Sequence, residues 1–233
     1  HSPHPEYVLS LSWPGTHCLS RSCPYNTIPR SGFNVHGLWP ERRGEYCHLH
    51  RDSEHVQGRV EGSDDTWAGL FSDTQAFIDY EYRKHGSCMD WNRIETDRVD
   101  KDIRDIVDRC RDGGKGCYTD ITVQLARGID LGSVLIDSGI VPSDITMYNT
   151  MDVHRIITSA LGVRSIQMIC KRVKTSSLPR ASSLHPYRYT SLLLEVRICL
   201  DGSLHPMDCP QNKVKCYPSL RIPENKGNAD IDI

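Results

Sequence analysis

The sequence predicts an α+β fold: a central antiparallel sheet with several surrounding helices, in a disulfide-stapled single domain. Three observations carry this. Segments rich in β-formers stand near both ends of the chain, with helix-spaced segments between them, so the sheet must be assembled from distant parts. The 233 residues suffice for one sizeable core and show no internal repeat or long linker to divide it. The ten cysteines are an even number, and Cys18 with Cys23, Cys110 with Cys117, and Cys209 with Cys216 stand close along the chain. The repeated C-x2-C spacing of structural zinc sites does not occur, so a zinc module is disfavoured and no metal or other cofactor is expected. Disulfides imply an oxidising compartment: secreted and extracellular, or lumenal, vacuolar or lysosomal.

The elements follow in order. "EYVLSLSWP" (Glu6 to Pro14) alternates like a strand and is ended by Pro14 and Gly15. "FNVHGLWP" (Phe33 to Pro40) is a second short strand, stopped by Pro40. Residues 41–65 are polar and read as a long surface loop. "DTQAFIDYEYRKHG" has Asp73 as an N-cap, Ala76, Phe77, Tyr80 and the stem of Lys84 as its inner face, and Gly86 as its stop. "DRVDKDIRDIVDRC" spaces Val99, Ile103, Ile106 and Cys110 as an amphipathic helix. Further helices are expected over Asp120–Arg127, Leu131–Ser138 and Asn149–Leu161. Val163–Val173 and Arg188–Leu200 then read as strands joined by a polar loop. One domain over 1–222 is expected, with a flexible tail over 223–233.

Charge and hydropathy exclude some classes. A formal net charge of −2 and a pI of about 6.6 leave no basic coat for duplex DNA, so any nucleic acid must be held in a local groove. No apolar run approaches a membrane span, so no membrane insertion is expected. The chain begins at His1 without a hydrophobic signal core, as a mature processed chain would.

Two segments carry chemistry. In "HGLWP", His36 ends a strand, Gly37 permits close backbone approach and Trp39 offers a flat face for a base. Alone, such a histidine is more often structural, and such a tryptophan more often core. In "EYRKHGSC", Glu81, Lys84 and His85 stand at i, i+3 and i+4 on one helical face. Two imidazoles, a lysine and a carboxylate are what RNA cleavage by internal attack requires. A neutral histidine takes the proton of the 2′-OH and a protonated one supplies the leaving 5′-oxygen. A lysine offsets charge on the non-bridging oxygens. The nucleophile belongs to the substrate, so no metal is needed, and the 2′-OH requirement excludes DNA.

"FNVHGLWP" followed about fifty residues later by "FIDYEYRKHGSC" resembles the two active-site segments of the ribonuclease T2 family. These are secreted acid endoribonucleases that include the self-incompatibility ribonucleases of plants. "VLSLSWPGTHC" and "LLLEVRICLDGS…DCP" resemble that family's first strand and last long strand. The resemblance implies single-stranded RNA as substrate, cleaved through a 2′,3′-cyclic phosphate and then hydrolysed to 3′-phosphate ends. It implies His36 as general base, His85 as general acid, and Glu81 and Lys84 as the groups that polarise the phosphate. Trp39 and Tyr46 match one base pocket, and Phe77 matches an aromatic of the second. It further implies that Cys47–Cys88 ties the two segments together and that Cys18–Cys23 and Cys170–Cys199 are bridges. Cys110–Cys117 and Cys209–Cys216 then pair by proximity. A monomer is expected, and no protein partner is indicated.

One position departs from the pattern. The family usually has a histidine just before the glutamate, as a phosphate ligand, and here Tyr80 stands there. A phenol can donate one hydrogen bond but brings no charge. Losing a charge-assisted contact costs about 1.5–3 kcal/mol, roughly ten- to a hundredfold in rate. His48, His50, His55 or Arg83 could compensate, although each is more simply a solvated side chain. Tyr80 motivates the alternative expectation: a catalytically weak member acting as a secreted binding or signalling protein.

Overall fold

The computed structural model describes residues 4–19, 23, 32–41, 44–47, 66–110, 113–177, 188–210 and 213–225. Most of the surface loop expected over 41–65, including His48, His50 and His55, lies outside these residues, as does the tail beyond Asn225. The elements in chain order are β1 (Tyr7–Ser12), α1 (Pro14–Cys18), β2 (Asn34–Pro40), α2 (Thr74–Lys84), α3 (Lys101–Arg109), α4 (Lys115–Ile129) and α5 (Leu131–Asp137). There follow β3 (Tyr148–Asn149), α6 (Thr150–Leu161), β4 (Gln167–Lys174), β5 (Tyr189–Leu200), β6 (Pro206–Met207), β7 (Val214–Lys215) and β8 (Ser219–Arg221). No helix among the described residues is long and apolar enough to cross a membrane.

The long strands β2, β1, β5 and β4 lie side by side, and each neighbouring pair is antiparallel. The short strands β7 and β8 join β4 and β5 in parallel, so the whole sheet is mixed around an antiparallel centre. All six residues of β1 are buried. Its alternation puts Leu9 and Leu11 into the main core with Leu38, Trp67, Tyr118, Ile121, Val196 and Ile198. Ser10 and Ser12 are left to the other face.

Two irregularities interrupt the ladders. Ser10 pairs with Gly37 and Leu11 with Val35, so His36 is an extra residue without a partner in β1. Ile169 pairs with Glu195 and Cys170 with Leu193, so Leu194 is likewise extra. Such bulges re-aim side chains and increase local twist.

The α2 helix begins where expected, with the Asp73 carboxylate accepting from the Ala76 N–H at 3.1 Å. Its inner face is different. Ile78, Glu81 and Tyr82 are buried, whereas Ala76 and Tyr80 are exposed and Phe77 is half-buried. The stripe is rotated because the buried Glu81 carboxylate finds a polar partner inside, which hydrophobic periodicity cannot register. The α4 helix is longer than the expected 120–127 and carries the fully buried Tyr118. The α6 helix has Asn149 as its cap, accepting from the Met151 N–H at 2.8 Å.

Five disulfides are formed among the described residues. Cys18–Cys23, Cys47–Cys88 and Cys110–Cys117 are as expected. The other four cysteines pair differently, as Cys170–Cys216 and Cys199–Cys209, which corrects the expected Cys170–Cys199 and Cys209–Cys216. Register explains it. Cys170 lies opposite Leu193 on β5, which leaves Cys199 about 20 Å further along the strand. Instead Cys199 stands opposite Met207, two residues from Cys209. The parallel pairing of Ile169 with Lys215 sets the next residues, Cys170 and Cys216, side by side.

The first residues of the expected tail are bound to the domain. The Trp13 indole N–H donates to the Pro223 carbonyl at 2.7 Å, and the Asn225 side chain accepts from the Gly15 N–H at 2.6 Å.

Candidate active site

The bulge at His36 turns its imidazole out of the β2 ladder and between two buried carboxylates. His36 Nδ1 lies 3.1 Å from Glu195 Oε1, and Nε2 lies 3.8 Å from Glu81 Oε1. Gly37 makes this approach possible: a Cβ there would come within 2.6 Å of Glu81 Oε2 and 2.7 Å of Trp39 Nε1. The Trp39 indole N–H donates to Glu81 Oε2 at 3.1 Å. Beneath, the buried Tyr118 hydroxyl accepts from the Leu38 N–H at 3.2 Å and holds the strand to α4.

The end of α2 supplies the other side. His85 caps the helix, its N–H bonded to the Glu81 carbonyl at 2.8 Å, and its Nε2 lies 4.0 Å from Glu81 Oε2. One glutamate therefore stands between the two imidazoles. Lys84 Nζ lies 3.3 Å from Glu45 Oε1 and 5.7 Å above the Tyr80 ring. Tyr46, at a left-handed φ of 58°, donates its N–H to the Lys84 carbonyl at 2.9 Å, and Tyr80 pushes its hydroxyl pKa up. The Cys47–Cys88 bridge closes the segment onto the turn after α2. Arg83 is exposed and folds back, its Nε donating to the Asp79 carbonyl at 3.2 Å.

The electrostatics separate the four ionisable groups. Burial pushes the Glu81 carboxyl up, and His36, Trp39 and Lys84 only partly offset it. Burial also pushes on Glu195, but its bonds from His36 and Arg197 prevail and hold it below the usual carboxylate range. Arg197 donates through Nε and Nη2 at 3.2 and 3.1 Å, and the Ser10 hydroxyl donates as well. Burial, with Lys84 as the next cause, lowers His85 to about 4. Burial works against the Lys84 ammonium too, yet Glu45 and Tyr80 outweigh it and raise its pKa. The ionised Glu195 at Nδ1 favours a proton there and leaves Nε2 of a neutral His36 as the free base.

The expected binding residues gather unevenly. Trp39 sits at the centre, its ring 5.1 Å from both imidazoles and 4.8 Å below the Arg197 guanidinium, so much of its face is already covered. Phe77 stacks on His36 at 6.1 Å and lines a cavity of about 150 Å3 with Ser12, His17, Asn34, Leu70 and Phe71. Tyr46 and Tyr80 form a pair at the rim over Lys84. Sequence reasoning missed Glu195, Arg197, His17 and Tyr118. A signal for the first was present: Glu195 is the one acid in "LLLEVRICL".

Comparison with known proteins matches the ribonuclease T2 family model over residues 6–209. A zebrafish (Danio rerio) ribonuclease T2 is 25% identical over 210 residues, covering 88% of this chain and 72% of the relative. Extracellular ribonuclease LE of tomato (Solanum lycopersicum) is 27% identical over 231 residues, covering 93% and 86%. The crystal structure of human RNase T2 superposes with a TM-score of 0.64 at 20% identity, over 94% of this chain and 98% of that one.

Proposed function

This chain belongs to the ribonuclease T2 family and is an endoribonuclease of that type, and on that premise we propose a metal-independent cleavage of single-stranded RNA. The carrying observation is the single buried Glu81 between His36 and His85, with His36 held at its far nitrogen by Glu195. His36 Nε2 takes the proton from the 2′-OH, and the 2′-oxygen attacks phosphorus. His85 gives its proton to the departing 5′-oxygen. Lys84 faces the non-bridging oxygens, where charge accumulates. The bond that forms closes a 2′,3′-cyclic phosphate; the one that breaks frees the 5′-hydroxyl end. Water then opens the ring with the proton roles reversed, leaving a 3′-phosphate.

His85 is mostly neutral in the free protein at pH 7, given its pKa of about 4. A bound phosphodiester brings a negative charge beside it and raises its proton affinity, so substrate supports the acid it needs. Base stacking is assigned to Phe77 and the rim tyrosine Tyr46, and the phosphate contact beside Lys84 to Tyr80, with Trp39 holding the imidazoles and Glu81 in place. The disulfides and the tomato relative's extracellular name support secretion.

The test is substitution. His36→Ala and His85→Ala should each lower kcat at least a hundredfold with the far-ultraviolet dichroism unchanged. Cleavage at the parent rate by either variant contradicts the assignment. The weak-member alternative draws on Tyr80 in the histidine's place and on Lys84 being engaged by Glu45.

A further inference from the structure

We propose that Glu45 is an internal stand-in for the substrate phosphate at Lys84, so that RNA must displace its carboxylate to engage the lysine. The inference rests on the role given to Lys84 above.

Glu45 Oε1 lies 3.3 Å from Lys84 Nζ, where an anion held by that ammonium has to lie. The pair is lopsided: the Glu45 side chain is 54% exposed and that of Lys84 is 26% exposed. The lysine is thus fixed at the cleft while its partner faces solvent and can be exchanged. Glu45 is nevertheless delivered to this spot by several contacts. Tyr46 takes a left-handed backbone and bonds the Lys84 carbonyl, and Cys47 is bridged to Cys88. A side chain placed by two anchors on its following residues is not a chance surface contact. It does not resemble the carboxylates that position the imidazoles either, since Glu81 and Glu195 are buried.

A carboxylate in this place has two opposed consequences. It keeps Lys84 charged and near its working position without substrate. It also occupies the hydrogen-bonding direction that a non-bridging phosphate oxygen needs. Both ligands are anions and share one ammonium, so their binding is competitive. An exposed ion pair is weak, so the competition is modest, about two- to fivefold in apparent affinity.

The experiment compares Glu45→Gln with the parent chain, both full length. Glu45→Gln should lower KM for single-stranded RNA about two- to fivefold and leave kcat within twofold. A 2′-deoxy oligonucleotide, which cannot be cleaved, should bind tighter by the same factor. Its affinity should also fall somewhat more steeply with salt, because in the parent chain salt weakens the competing Glu45–Lys84 pair as well. The gain should vanish in a Lys84→Ala background, which separates displacement at Lys84 from a general loss of negative charge. A fall in kcat with KM unchanged overturns the proposal and makes Glu45 a positioning residue for Lys84. Unchanged binding of the deoxy oligonucleotide overturns it as well. If the parent chain cleaves no RNA, the function proposed above fails, while the binding arm still decides the role of Glu45.

Discussion

At the scale of single residues, the site depends on carboxylates that share two imidazoles. Glu195 holds the charge next to His36 Nδ1, and Glu195→Gln removes it while keeping the shape. We expect kcat to fall about tenfold or more, and at most by the 10²–10⁴ that proton transfer supplies. Unchanged turnover by Glu195→Gln means His36 needs no fixed tautomer. His85, lowered to about 4, sets the pH dependence. The lower apparent pKa in kcat/KM should lie near 4, so activity persists into mildly acidic solution. Substrate charge should move that limb upward in kcat. A lower limb at pH 6 or above in kcat/KM contradicts the placement of His85. Tyr80→His should restore a charged donor beside Lys84 and raise kcat/KM by up to about tenfold to a hundredfold; an unchanged rate removes Tyr80 from the phosphate site. His36, Glu81, Lys84 and His85 were legible because each lies in a short local pattern. Glu195 was not, because its partnership with His36 spans 159 residues and arises only when β1 lies between β2 and β5.

At the scale of elements, one bulge and one bridge give the site its shape. The extra residue at His36 on β2 turns it toward Glu195, which stands opposite Ser12 in the unbroken ladder on the other flank of β1. The bulge could not be read from alternation, since a period of two does not show where a ladder gains a residue. The α3 helix was legible from its periodicity and the start of α2 from its Asp73 cap, and α5 and α6 lie where helices were expected. The inner face of α2 was not, because a buried glutamate looks like an outer one until its partner is known. Cys47–Cys88 closes a 41-residue separation and carries Glu45 and Tyr46 to Lys84. By chain entropy, replacing both cysteines with serine should cost about 4 kcal/mol of stability. Chemical denaturation measures this, and a loss below about 1 kcal/mol indicates that the segment is held by its other contacts.

At the scale of the molecule, the sheet gathers residues from both ends of the chain into one cleft, as the distant strand-like segments implied. The α+β class and the disulfide-stapled domain follow from patterns that survive without coordinates. The pairing of the last four cysteines does not, because it depends on register and on the short strands β6 and β7, which leave almost no signal in composition. The half-buried His85 also links the site to global stability. Its pKa is lowered on folding, so it favours the fold above about 6.5, and that contribution is lost as pH falls toward about 4. Thermal unfolding from pH 7 to 4 should show a fall in stability that His85→Asn reduces; an equal fall in both proteins assigns the effect to other groups.

The central claim is that the substrate's own 2′-OH is the nucleophile and that no metal takes part in the step. Its most direct measurement is end-group analysis of a short single-stranded RNA digested by the purified chain in excess EDTA. Cleavage should proceed at the rate seen without chelator, with 2′,3′-cyclic phosphate ends appearing first and 3′-phosphates later. Cleavage abolished by EDTA, or products carrying 5′-phosphate ends, would contradict it.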